Sequence, residues 1–306
     1  MISFRDTGEA ELAGLDALFR DRFGHPFDAE SWDWKYRRTP GSAISRVAVD
    51  EAGEVLAHAG ALAFPAHWRG GSGLLWSVVD IAGRTGKGQG LRPPMLDLLG
   101  GILDELPHSG DFPWVTGFPN RRHYQLGRRA FDYVAVATKV PLWGELPTAP
   151  PRQAGAEPQD TCPPEAEAIW TACDLGGVVR SGTFLNWRYY ARPSRYYRFY
   201  RLSSGSLMGL AVFAFVGPEA WAAELWLPAG GDWYDALLAV AGDLRRAGIE
   251  RWRFWPSADA VQQRVLERLS LRKVPKEETL VCWQGPVDRA LSDFGLYFSM
   301  GDHDAV

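Results

Sequence analysis

Cysteine is scarce in this chain: three in 306 residues, at Cys162, Cys173 and Cys282, an odd number without ligand-like spacing. That argues against a disulfide framework, and no zinc signature occurs in the sequence. Free thiols point to a reducing compartment. Long apolar runs are missing as well. No stretch of 18 apolar residues occurs, and the opening Met1-Ile-Ser-Phe-Arg-Asp has no signal-peptide core. The expectation is a cytoplasmic protein with no membrane partner. Nor is there an excess of positive charge. Lys and Arg number 33 against 37 Asp and Glu, a net charge of −4, and the pI is about 5.9. This balance argues against a broad phosphate-tracking surface, so no nucleic-acid partner is expected.

What the chain does have is apolar bulk. The apolar share is 46%, the charged share 23%, and 14 tryptophans contribute to an aromatic share of 13%. These are the proportions of a globular protein, long enough for one large domain or two of ordinary size.

Leu12, Leu15, Phe19 and Phe23 give residues 9–23 a helical period. Residues 44–49 and 54–64 read as strands around an Asp50-Glu-Ala-Gly53 turn, and residues 74–81 as a third strand. Helical spacing returns at Met95, Leu98, Leu99, Ile102, Leu103 and Leu106. Pro93 and Pro94 fall in that helix's first turn, where a missing N–H costs little. A strand at 112–117, a helix at 120–129 and a strand at 131–142 follow. This order is that of an α/β unit on a mixed sheet.

Six prolines crowd residues 145–168, a linker composition. Beyond it the first half is repeated. Leu185-Asn-Trp187-Arg-Tyr189-Tyr-Ala-Arg-Pro193 runs in step with Trp32-Asp-Trp34-Lys-Tyr36-Arg-Arg-Thr-Pro40. A second hairpin (197–202 and 206–215), strand (222–227) and long helix (233–246) come next, then strands at 251–255 and 280–283 around a helix at 258–269. The repeat is an internal duplication with a period near half the chain. The expected division is a domain at 1–146, a linker at 147–165 and a domain at 166–306.

The stretch joining the third strand to the first long helix is glycine-rich: Gly83, Gly86, Gly88 and Gly90. Glycines let backbone amides converge, and at a helix N-terminus such amides bind an anion. Lys87 precedes Gly88 where a Walker A loop needs Ser or Thr, and Leu91 stands where a dinucleotide fingerprint needs glycine. The equivalent turn of the second copy, Pro228-Ala-Gly-Gly-Asp232, lacks the basic residues and carries an acid. The scaffold therefore closes without the glycine loop, which favours an anion site in the first copy alone.

The element order, Gly88-Gln-Gly90 between strand and helix, Gly117-Phe-Pro-Asn120 opening the next helix and Phe131 closing it resemble the GCN5-related N-acetyltransferases. The paired Trp-Lys/Arg-Tyr segments and the Met300-Gly-Asp-His-Asp304 ending resemble tandem members, with two such folds in one chain. The pattern departs from the family's at Thr85, where Gln or Arg is usual, with Arg84 one residue early. The resemblance implies acetyl-CoA, or another acyl-CoA, as donor. Its pyrophosphate would lie on the amides of Gly86, Lys87, Gly88, Gln89, Gly90 and Leu91, with Arg84 and Lys87 adding charge. Its pantetheine arm would follow Val78, Val79, Asp80 and Ile81, and the N–H groups of Val79, Asp80 and Ile81 would steady the oxyanion. Asp80 is either the expected base or a residue that caps the loop or pairs with a neighbouring basic side chain, with His58 an alternative base or a core histidine. Tyr124 is the expected acid, although the family's tyrosine position falls on Leu126. Asn120 either binds the arm or caps its helix.

Trp34, Tyr36, Trp187 and Tyr189 read mainly as core anchors, and His67 and His123 as surface or rim residues. Asp302-His-Asp304 is either a solvated tail or a substrate contact. No metal is expected. The partner expected is a small-molecule amine, with the chain a monomer or homodimer. Two other functions stay open: a catalytically inactive protein that binds CoA or a partner, and an aminoacyl transferase of the FemABX kind.

Overall fold

The computed structural model describes residues 1–69, 71–84, 93–106, 115–148, 155–193, 196–255, 259–274, 278–283 and 296–302. Contacts divide the chain into two compact units. One comprises Met1–Val136 with Leu280–Arg289, the other Ala137–Thr279 with Ala290–Val306.

The first unit opens with β1 (Ser3–Asp6), α1 (Leu12–Phe23) and the short α2 (Ala29–Trp32). It continues through β2 (Ser42–Val49), β3 (Val55–Trp68), β4 (Gly71–Gly83), α3 (Pro94–Glu105), β5 (Val115–Gly117), α4 (Arg121–Ala130) and β6 (Val134–Lys139). In the second lie β7 (Leu142–Glu145), β8 (Ala156–Gln159), α5 (Ala166–Ala172), β9 (Gly177–Val178) and α6 (Gly182–Leu185). β10 (Tyr197–Ser204), β11 (Leu207–Val216), β12 (Glu219–Trp226), α7 (Tyr234–Arg246), β13 (Arg251–Phe254), α8 (Ala260–Glu267) and β14 (Arg272–Lys273) follow. The last strand is β15 (Glu278–Trp283). The expected α/β architecture on mixed sheets, in two tandem copies, is what the chain adopts.

In the first unit the strands run β1-β2-β3-β4-β5-β15-β6; β1 to β4 are antiparallel neighbours, β4 and β5 run parallel, and β5 and β15 antiparallel. From Ala57 onward β3 alternates. Ala57, Ala59, Ala61 and Ala63 face α3, where small side chains let Leu98, Leu99, Ile102 and Leu103 pack close. The opposite face receives α1 through Leu15, Leu18 and Phe19, with Phe27 and Trp32 beside them. Each fully buried leucine or phenylalanine contributes about 2 kcal/mol.

The second unit orders its strands β14-β7-β13-β12-β11-β10-β8, with β12 and β13 parallel. Its core gathers Phe213, Trp233, Trp252 and Phe254 with the apolar face of α7. Each sheet takes in a strand that lies apart from the rest of its own half of the sequence. β7, which precedes the proline-rich stretch, pairs β13, whereas β15, from the far end of the chain, pairs β5.

A sheet whose β5 loses β15 is left with an open ladder of N–H and C=O groups. Residues 1–146 expressed alone are therefore expected to show no cooperative thermal transition by circular dichroism, where the full chain shows one. A sharp transition in that fragment would mean that the exchanged strand is dispensable.

Candidate active site

The polar focus of the first unit is built where β4 leaves β5. Their parallel pairing holds Trp76 against Val115 and Ser77 against Thr116. Ser77 and Thr116 hydroxyls meet at 2.7 Å, and Thr116 Oγ1 donates to the Trp76 carbonyl at 3.1 Å, closing the zip. β5 ends at Gly117, but β4 runs on to Gly83. Residues 77–81 are left half-buried along that edge.

β4 also bulges there. Gly60 pairs with Val79 and His58 with Ala82, so Asp80 and Ile81 together oppose Ala59. Asp80 takes a left-handed φ of 54°, which aspartate tolerates better than most side chains. The consequence is directional. Trp76 and Val78 face α3, and a regular strand would send Asp80 after them; the bulge returns Ile81 to that face and turns the Asp80 side chain the other way.

On that other side wait Lys35 and Tyr36. The Lys35 ammonium lies 2.8 Å from Asp80 Oδ2, with side chains only 3% and 7% exposed, and the Tyr36 hydroxyl donates to the same oxygen at 2.7 Å. A carboxylate this buried persists because it is paired and hydrogen-bonded at once. Lys35 and Tyr36 can both reach it because residues Asp33–Arg37 form a wide turn, Arg38 N donating to the Asp33 carbonyl five residues back. Asp28 caps the helix before it by accepting from Ser31 N at 2.9 Å.

His58, fully buried, braces the bulge from below. Its Nδ1 donates to the Asp80 carbonyl at 2.7 Å, and Nε2 lies 3.0 Å from Ser45 Oγ. Burial is the main force on its pKa, which falls to about 4; the Asp80 bond opposes this and the Lys35 charge adds to it. The ring is neutral at physiological pH, a core histidine as the less chemical of the two expectations had it.

The other expected site residues spread around this focus. Val78, Ile81 and Tyr124 border the same apolar cluster under α3. Val79 pairs with Gly60. Tyr124 lies in the first turns of α4 with the Arg128 guanidinium 5.9 Å from its ring centre. Asn120 caps α4, its Oδ1 accepting from His123 N at 2.9 Å. Arg84 is tied back to the β2–β3 hairpin through the Val55 carbonyl at 3.0 Å and Glu54 at 3.2 Å. Gly86, Lys87, Gly88, Gln89, Gly90 and Leu91 lie outside the described residues, as do His303 and Asp304. His67 is exposed, and half-buried His123 stacks on Tyr133 at 6.0 Å. Among the described residues no group of His, Cys, Asp or Glu is arranged to hold a metal.

The second unit repeats the focus with the same geometry. Asn186–Tyr190 is again a wide turn, Ala191 N donating to the Asn186 carbonyl. β12 is again bulged, between Ala222 and Glu224. The Tyr189 hydroxyl donates to Glu224 at 2.7 Å, as Tyr36 does to Asp80. Arg180 Nε and Trp226 Nε1 also donate to Glu224, each at 3.0 Å. Burial pushes the Glu224 carboxyl up, and the Arg180 charge opposes it. The turn after β12 differs. Trp233, wholly buried, donates its indole N–H to the Pro228 carbonyl, and Asp232 pairs with Arg268 at 2.7 Å. It is closed on itself. Sequence reasoning missed the Tyr–carboxylate clamp, although Val-Val-Asp80-Ile and Ala-Ala-Glu224-Leu fall in register once the two Trp-Lys/Arg-Tyr segments are aligned.

No protein-family model matches the chain, and no curated protein does. Solved structures do. A GCN5-related N-acetyltransferase from Anabaena variabilis superposes with a TM-score of 0.66 at 14% identity, covering 92% of this chain and 72% of that one. One from Kribbella flavida gives 0.61 at 13% identity, covering 92% and 71%. Identities this low establish the fold. The chain is thus a tandem protein of the GCN5-related N-acetyltransferase fold, as its sequence resemblance led us to expect. Among the described residues no helix is long and apolar enough to cross a membrane.

Two outcomes follow from the clamp. A Cβ on Gly60 would lie 2.0 Å from the Tyr36 hydroxyl. Gly60→Ala should therefore dislodge Tyr36 from Asp80 and cost roughly 2–4 kcal/mol in urea unfolding. The second concerns pH. Unfolded, His58 titrates near its ordinary 6.5; folded, it does so at about 4. Between these values the unfolded chain binds the extra proton, so stability is full above 6.5, falls as pH drops towards 4, and levels off below. The loss is of order 3 kcal/mol. His58→Gln should flatten that part of the stability profile, measured by urea unfolding at pH 4.5 and 7; an unchanged slope would place the titration elsewhere.

Proposed function

We propose that this protein is an N-acyltransferase that moves an acetyl group, or another acyl group, from acyl-CoA directly to the amine of a small molecule, an amino sugar being one candidate. The observation that carries this is the first unit's parallel β4–β5 pair, which stops at Ser77 and Thr116 and leaves a half-buried, bulged strand edge beyond. That edge fits an extended arm: apolar Val78 and Ile81 line it, and a bulge takes peptide groups out of the ladder. In this role the N–H groups of residues 79–81 hold the oxyanion, and Asn120, already its helix's cap, lies at the far side of the arm. The glycine loop Gly86–Gly90 and Lys87 take the pyrophosphate on sequence grounds. Asp80 receives the proton released by the attacking amine, directly or through water, and Tyr124 donates one to the departing sulfur. The setting is cytoplasmic, and no metal takes part.

A second function, donor binding without turnover, is favoured by one observation. The Asp80 carboxylate is already engaged by Lys35 and Tyr36, which weakens it as a base. Calorimetry with acetyl-CoA separates the possibilities. The wild type is expected to bind saturably and Gly88→Glu to lose binding; no binding by the wild type sinks the donor assignment. Free-thiol release across an amine panel then tests turnover. If Asp80 is the base, Lys35→Met, which removes the opposing charge, should shift the acidic limb of the kcat/KM profile to higher pH. A profile that does not move would remove Asp80 from the chemistry.

A further inference from the structure

The strand gap that the described residues leave half-buried in the first unit is covered in the second. β12 and β13 pair in parallel from Glu219 with Arg251 to Trp221 with Arg253, and pairing then stops. Beyond that point the hollow between Ala222 and Leu225 on one side and Phe254 and Gln262 on the other is lined by the chain's own residues 297–300. Tyr297 and Phe298 are 9% exposed, Ser299 4% and Met300 2%. Residues 222–226 of β12 are all buried, where residues 77–81 of β4 are half-buried.

The segment is fastened at both ends. Tyr297 N donates to the Gly176 carbonyl at 3.0 Å, and its hydroxyl reaches the Leu225 carbonyl at 3.4 Å. Gly177, at φ 114°, leaves just enough room: a Cβ there would stand 2.7 Å from the Tyr297 carbonyl oxygen. At the other end Asp302 accepts from Arg180 Nη2 with both oxygens at 2.7 Å and from Ser299 N at 2.8 Å. Arg180 also holds Glu224, so the latch is welded to the bulge. Burial works against the Arg180 charge, but Asp302 and then Glu224 outweigh it and keep the guanidinium protonated.

We propose that residues 296–302 are an intramolecular ligand of the second unit's strand gap, lying where an acyl-pantetheine arm would otherwise enter, so that the chain takes one acyl donor and not two. The assignment depends on the first unit's gap being the donor site. An apolar segment pinned by a buried ion pair has no translational entropy to lose, which a free ligand must. The closed turn at Pro228 and Asp232 leaves a competing donor no phosphate site.

Hydrogen exchange read by mass spectrometry tests both units at once. Peptides spanning 77–83 and 222–227 are followed in the full chain with and without acetyl-CoA, in Asp302→Ala, and in a chain ending at Gly295. Acetyl-CoA is expected to slow exchange at 77–83 and leave 222–227 unchanged. Loss of the latch, or of the segment, should speed exchange at 222–227 by about tenfold or more while the rest of the unit stays protected. Pantetheine added to the shortened chain should then slow 222–227 again. Asp302→Ala leaves Arg180 paired with Glu224, so it carries the comparison even where the shortened chain does not fold. Protection of 222–227 by acetyl-CoA in the full chain overturns the proposal. So does unchanged exchange there in Asp302→Ala, or pantetheine without effect on a folded shortened chain. Absence of protection at 77–83, by contrast, strikes the donor assignment of the first unit.

Discussion

A carboxylate buried inside a β-sheet layer must be answered, and the hydrogen bond from a tyrosine hydroxyl to that carboxylate organises each half of this protein. Tyr36 answers Asp80 and Tyr189 answers Glu224, in both cases across a bulge of the strand that leads to the parallel pair. Much else is arranged to permit it. The wide turns Asp33–Arg37 and Asn186–Tyr190 add the residue that turns each tyrosine towards its strand. Gly60 is without a side chain because the Tyr36 hydroxyl occupies that space. His58 secures the same bulge through the backbone, and burial leaves its ring neutral. Leaving any one buried partner unanswered costs several kcal/mol, a large part of a domain's net stability.

The clamp occurs in both units, so its first duty is geometric: it sets the bulge that takes the strand's peptide groups out of the ladder. Chemistry then distinguishes the copies through what surrounds it. Asp80 has a lysine and a half-buried strand edge nearby, whereas Glu224 has Arg180 and Trp226 beside its tyrosine, no exposure and a peptide segment across the gap. Duplication supplied two equivalent frames, and burial closed one of them. The exchanged strands β7 and β15 mean that neither frame is a contiguous piece of chain.

A good part of this was legible beforehand. Helical periods at Leu12–Phe23 and Pro94–Glu105, the hairpin around Asp50 and Gly53, and the Trp-Lys/Arg-Tyr repeat are local patterns, and local patterns survive folding. The clamp was visible in part, since the repeated tyrosine and the in-register acids stand in the sequence. Their connection spans 44 residues in one copy and 35 in the other, and no periodicity reports a contact at that range.

The sequence by itself therefore determined the class of fold, the duplication, the loss of the glycine loop from the second copy and the residues in which chemistry is sought. Tertiary structure alone decided that Asp80 faces Lys35 and Tyr36 and not α3, because one left-handed residue reverses the strand's alternation. It also decided that β15 serves the first sheet and that Tyr297 and Met300 line the second gap. Such pairings are chosen by which distant surfaces bury one another, and the free energy of burial depends on neighbours that chain order does not disclose.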